Sequence, residues 1–166
     1  MMKIIQIVGF KNSGKTSLST ELIRSLVSNG FRTASLKHHG HGGEPLGLEN
    51  TDSYKQQQAG AIVAGVEGSG MFQLKHVNGW NMEQLIAIYR LFNIDVLVIE
   101  GFKYENYPKI VLIKNKEELS LLKQLTNIIA VVSAVSMEES SISFPVFSYD
   151  QIEKLCLFYI EHYVVN

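Results

Sequence analysis

Two rhythms of apolar residues alternate along the chain. Lys3-Ile4-Ile5-Gln6-Ile7-Val8 is a short β-branched run that reads as a buried strand. Leu18, Leu22, Ile23 and Leu26 then recur at helical spacing until Asn29-Gly30 supplies a stop. Residues 32–37 predict a second strand, and Asp52 or Ser53 the cap of a short helix running towards Ala59-Gly60. Residues 61–66 and 71–75 predict two strands joined by a glycine turn. Asn81 is placed to cap a helix that buries Met82, Leu85, Ile86, Ile88, Tyr89 and Phe92. Residues 94–99 are apolar apart from Asp95, as a central strand covered on both faces would be. Residues 109–113 and 128–132 give two further strands with a helix over 117–125 between them, and Asp150 is placed to cap a last helix to about Tyr163. This alternation is the pattern of βαβ units around a mainly parallel sheet flanked by helices. Residues 1–166 show no repeat, low-complexity stretch or shift of composition, so a single domain is expected.

Composition narrows the class of partner. Hydrophobic residues make up 46% and charged residues 19%, a globular balance. Lys+Arg 15 against Asp+Glu 16 gives a net charge of -1, so neither a nucleic-acid surface nor a charged tail is expected. The single Cys156 excludes an internal disulfide and fits a reducing compartment; among Leu155, Leu157 and Phe158 it reads as a buried thiol. The opening strand leads directly into a loop, so no signal peptide is expected. No apolar run approaches the ~20 residues of a membrane span, and the expected address is the cytoplasm.

The chemistry begins between the first strand and the first helix. Gly9-Phe10-Lys11-Asn12-Ser13-Gly14-Lys15-Thr16 matches G-x-x-x-x-G-K-[ST], the phosphate-binding loop, without a mismatch. A glycine loop there aims backbone N–H groups and the positive end of a helix at an anion. Lys15 would reach the terminal phosphates, and the Thr16 hydroxyl would ligate Mg²⁺. A plain glycine turn between strand and helix leaves Lys15-Thr16 unexplained. The prediction is therefore a three-layer P-loop α/β fold that binds a nucleoside triphosphate.

Ligands in such sheets lie beyond the carboxyl ends of the strands. Gly9, Lys37-His38 and Glu100-Gly101 all end predicted strands and should share one rim. Asp95 opens the strand that Glu100 closes, about 16 Å away at ~3.3 Å per residue. Glu100 therefore takes the Walker B part, holding the magnesium shell or orienting a water, and Asp95 belongs to the far side. Asp52 allows two readings, a second carboxylate for the Mg²⁺ shell or a helix N-cap. The run Lys37-His38-His39-Gly40-His41-Gly42-Gly43-Glu44 opens a long loop for which three readings stand: Zn²⁺ ligation, contact with phosphate or a partner, and an inert loop. Asn115-Lys116-Glu117-Glu118 is similar in place and start to the guanine-reading N-K-x-D but ends in Glu, and a helix cap explains it equally well. His76 and His162 stand alone and read as surface residues.

Taken together, the phosphate loop, Leu36-Lys37-His38-His39-Gly40-His41, Thr51-Asp52-Ser53 with Ala59-Gly60-Ala61, and Glu100-Gly101-Phe102-Lys103 with Pro108-Lys109-Ile110 resemble the molybdopterin-guanine dinucleotide biosynthesis protein B family, MobB. The resemblance runs to about residue 132, and the Glu-Gly-Phe-Lys…Pro-Lys-Ile segment is its most specific part. It implies a P-loop fold of the dimeric SIMIBI type and GTP binding with at most weak hydrolysis. It also implies a role beside the guanylyltransferase MobA, which attaches GMP to molybdopterin. Gly9, Lys11, Asn12, Ser13, Gly14, Lys15, Thr16 and the adjoining Ser17 carry over as the nucleotide site. Glu100 carries over as the Walker B carboxylate, with Lys37 and His38 near the phosphates or the partner. Two rivals stand beside this reading. One is a metal-delivery GTPase using His38, His39 and His41. The other is a small-molecule P-loop kinase, which would need arginines in a lid, whereas the chain has only Arg24, Arg32 and Arg90.

Overall fold

A computed structural model describes residues 1–40, 51–137 and 143–165. In chain order its elements are β1 (Lys3–Gly9), α1 (Lys15–Ser28), β2 (Thr33–Lys37), α2 (Asp52–Gln58), β3 (Val63–Gly68), β4 (Met71–His76), α3 (Met82–Arg90), β5 (Val96–Glu100), β6 (Lys109–Ile113), a 3-10 helix (Lys116–Lys123), β7 (Ile128–Ser133), β8 (Val146–Phe147) and α4 (Ile152–Tyr159), which runs on into a π-helical turn (Ile160–Val164). The chain divides into two compact units, residues 1–40 with 89–166 and residues 41–88.

The first unit is built on a six-stranded sheet in the order β2-β5-β1-β6-β7-β8, every pair of which is parallel. Because successive side chains point to opposite faces, each central strand serves two cores. Ile5 and Ile7 of β1, with Val98, Leu112 and Val132, pack beneath Leu18, Leu22 and Leu26 of α1 and Leu155 and Tyr159 of α4. Val8, Val111, Ile113 and Val131 face the other way, against Leu121 of the 3-10 helix and Leu125. At about 25 cal/mol per Å² of apolar surface, two full layers account for strands that read as continuous hydrophobic runs.

The second unit holds α2 packed on β3 and an antiparallel hairpin, β3–β4, turning at Ser69-Gly70. α3 begins there with a capping box: Asn81 Oδ1 accepts from the Gln84 amide at 2.9 Å and Gln84 Oε1 from the Asn81 amide at 3.0 Å. Two predicted caps move by one residue. Thr51, not Asp52 or Ser53, caps α2 by accepting from the Tyr54 amide at 3.3 Å. Asp150 does not cap α4; its carboxylate binds the Ser148 side chain, which holds its pKa low, and Gln151 precedes the helix. β8, two residues long, has no periodicity that a sequence could show.

Among the described residues no helix is long and apolar enough to cross a membrane.

Candidate functional site

β1 delivers the chain into a tight loop that excludes side chains. A Cβ on Gly9 would stand 2.6 Å from Ser13 Oγ and 3.0 Å from the Leu112 carbonyl oxygen, so only hydrogen fits. Asn12 (φ 60°) and Gly14 (φ 93°) lie in the left-handed region, which curls the backbone into a concave nest of amides. Ser13 is fully buried and its hydroxyl has no partner. α1 starts at Gly14 without a side-chain cap, and its first amides have no intrahelical acceptor. An uncapped helix start and a nest of amides supply the donor set an anion requires. Lys15 Nζ folds over the loop to donate to the Phe10 carbonyl at 2.6 Å. Burial lowers its pKa, with the Glu100 charge acting in the opposite sense. Lys11 and Ser17 lie exposed on the loop and the first helical turn.

The rest of the predicted rim forms beside it. β5 lies between β1 and β2, with Glu100 level with Ile7 on one side and Lys37 on the other. The Thr16 hydroxyl donates to both Glu100 oxygens, at 3.1 and 3.0 Å. Lys37 Nζ lies 3.1 Å from Glu100 Oε1 and 3.3 Å from Thr16 Oγ1. One hydroxyl and one carboxylate in contact are hard oxygen donors of the kind Mg²⁺ prefers, and Lys37 already places a positive charge between them. His38 donates its amide to the Glu100 carbonyl at 2.9 Å and stacks on Phe102 with centroids 4.3 Å apart. Lys103 lies over the rings of Phe10 and Tyr104.

Two supporting residues carried no signal in the sequence. Gln6, fully buried in β1, donates through Nε2 to the carbonyls of Phe102 at 2.7 Å and Gly101 at 3.3 Å. It thereby holds Phe102 in the left-handed region at φ 50°. Tyr149 reaches across 136 positions to donate its hydroxyl to the Ser13 carbonyl at 2.9 Å. No motif marks either residue, because each acts through one long-range bond to main chain.

The remaining candidates have partners of their own. Asp95 stands at the amino end of β5, where its carboxylate binds Arg32 at 3.2 and 3.3 Å and the Arg32 amide at 2.8 Å. Asp52 belongs to the second unit; its side chain is 90% exposed and pairs with Lys55 at 3.0 Å. Asn115 caps the 3-10 helix, accepting from the Glu118 amide at 3.1 Å, which favours the cap reading over base recognition. His76 is half-buried, its Nδ1 accepting from the Asn78 amide, and His162 is exposed with Nδ1 against the Phe158 carbonyl. His41, needed for the three-histidine reading, lies outside the described residues, among which no group of three or more His, Cys, Asp or Glu could hold a metal ion.

Comparison with known proteins gives a family and a fold. The family model described as molybdopterin guanine dinucleotide synthesis protein B matches residues 4–134. A relative from Bacillus subtilis (strain 168), named a probable molybdopterin-guanine dinucleotide biosynthesis adapter protein, is 45% identical over 130 residues, spanning 78% of this chain and 75% of that one. Among solved structures, a MobB homologue from Bacillus stearothermophilus superposes with a TM-score of 0.75 at 30% identity, covering 96% of this chain and 97% of that one. Bacillus subtilis MobB gives a TM-score of 0.73 at 39% identity, covering 95% and 96%.

Proposed function

Since the chain belongs to the molybdopterin guanine dinucleotide synthesis protein B (MobB) family, we propose that it is an adapter of molybdopterin guanine dinucleotide synthesis that works by holding GTP and Mg²⁺ beside the guanylyltransferase MobA. The adapter role follows from the family and its named relatives. The observation that carries the nucleotide part is the cradle: a left-handed turn at Asn12 and Gly14 and an uncapped helix start, with the Thr16–Glu100 pair in its first turn.

On this reading the amides of residues 13–16 bind the phosphates, and Lys15 releases the Phe10 carbonyl to reach the terminal ones. Thr16 and Glu100 would hold the divalent ion, which would neutralise charge on the phosphates, in the place that Lys37 Nζ takes beside them. Asp52 has no part in this shell that its exposed pairing with Lys55 supports. Turnover is slow on this reading, because Arg24 is paired to Glu21 and Arg32 to Asp95, which leaves neither as an arginine finger. Residence in the cytoplasm, pairing of two copies and direct contact with molybdopterin complete the proposal. The exposed Met71 and Phe72 on the hairpin are compatible with a paired state.

Titration calorimetry with GTP, with and without Mg²⁺, tests the site. Binding strengthened by Mg²⁺ supports it, and no heat under either condition overturns it. A pull-down of MobA by the tagged chain, retained with GTP and lost on chelation, tests the adapter partner.

A further inference from the structure

A glycine in a turn leaves its peptide plane free to rotate, and the phosphate loop turns at one. Gly14 stands in the left-handed region at φ 93°, with no Cβ to resist a flip of the peptide that joins it to Ser13. That peptide is planar and trans, so the Ser13 carbonyl and the Gly14 N–H point in opposite directions. Whatever holds the one aims the other. The following peptide is fixed by the helix: the Gly14 carbonyl accepts from the Leu18 amide at 3.0 Å, which turns the Lys15 N–H outward from the helix start. The Ser13 carbonyl lies before α1 and is met instead by the Tyr149 hydroxyl, which donates to it at 2.9 Å.

Tyr149 is itself firmly placed. It lies in the turn between β8 and α4, which ties itself together: the Gln151 amide donates to the Ser148 carbonyl at 3.0 Å, and Gln151 Oε1 accepts from the Ser148 amide at 3.1 Å. Its ring packs against the core that α1 and α4 cover, and stands 3.5 Å from where a Cβ on Gly14 would be, an ordinary contact. Burial pushes its phenol above the ordinary range, and the Glu118 charge acts in the same sense, so the hydroxyl keeps its proton and stays a donor.

We propose that Tyr149 is a positioning residue for anion binding: by gripping the Ser13 carbonyl it keeps the Gly14 N–H turned into the cradle, where that N–H donates to a bound phosphate. This rests on the nucleotide reading of the phosphate loop given above.

Inorganic tripolyphosphate, titrated into the isotope-labelled full chain and followed by amide NMR and calorimetry, is the probe. In the parent the Gly14 amide proton should move downfield together with those of Lys15 and Thr16. Tyr149→Phe keeps the ring and removes the donor. It should weaken tripolyphosphate binding by about tenfold, the scale of one hydrogen bond to a charged group. The Gly14 shift should shrink while the Lys15 and Thr16 shifts persist. A ring that merely stiffened the loop would disturb all of these amides alike, and that result overturns the proposal. Unchanged affinity in Tyr149→Phe overturns it as well. A parent in which Lys15 and Thr16 respond but Gly14 does not overturns it without recourse to any variant, and spares the cradle. A parent that gives no heat and no shift in the loop overturns the cradle and the proposal with it.

Discussion

Lys15 and Lys109 make an instructive pair. Both ammonium groups bind main-chain carbonyls, and burial lowers the pKa of both. Lys109 is fully buried, and its Nζ donates to the carbonyls of Glu105, Tyr107 and Thr126 at 2.9, 2.9 and 2.8 Å. An ammonium has three donors, so nothing remains to offer. The group ties the turn before β6 to the turn before β7. Lys15 makes one such bond among the described residues, to Phe10 at 2.6 Å, in a half-exposed setting. Beside it are a hydroxyl without a partner and a helix start without a cap. The same functional group is structural where its donors are saturated and available for a ligand where they are not.

The largest effect expected of that contrast is on stability. Lys109→Met strips three part-buried carbonyls of their donor at once, at a cost of about 3–5 kcal/mol. It should lower the urea midpoint and leave GTP affinity unchanged in the protein that stays folded. A midpoint equal to the parent's would erase the distinction. Lys15→Ala should do the converse, keeping the midpoint while GTP affinity in a calorimetric titration falls by about 100-fold, the scale of one or two charge-assisted bonds. A matching loss of stability would make Lys15 structural too.

Lys37→Met sharpens the picture within the site. Its ammonium competes for the space between Thr16 and Glu100, and an ion pair with one exposed partner, here Lys37, is worth about 1 kcal/mol. The Mg²⁺ concentration that half-saturates GTP binding should fall by about two- to fivefold. A rise would put Lys37 in the phosphate shell instead.

The smallest effect lies at the opposite rim. The Arg32 guanidinium and amide hold the Asp95 carboxyl below the ordinary carboxylate range. The folded state therefore keeps that charge to lower pH than the unfolded chain. The stability this gives is present above the unfolded value of ~3.9 and is lost as pH falls through the lower folded one. Asp95→Asn should flatten that part of the slope in urea midpoints compared at about pH 5 and about pH 3, with no change in GTP binding.

Legibility in the sequence followed distance along the chain. The phosphate loop is eight contiguous residues flanked by unmistakable periods, so Gly9 to Thr16 could be read outright. Glu100 and Asp95 were separated by strand geometry alone, and the structure puts them at opposite ends of β5. The α2 cap is legible to the right turn but falls on Thr51, because neighbouring polar side chains compete for the same amides, whereas α4 starts after Gln151 with no side-chain cap at all. Lys109 stands in an apolar strand with acceptors up to 17 positions away, and Tyr149 has one 136 away. No local pattern encodes such partners; only the assembled sheet supplies them.

Gln6 carries a consequence of its own. Three residues before Gly9, it grips the carbonyls just after Glu100, so phosphate loop and carboxylate hang from a single hook. Neither can drift without tugging the other, and their alignment is guarded by an amide that no ligand ever meets. Change at position 6 would put both halves of the site out of true together, as a warped doorframe spoils latch and hinge at once.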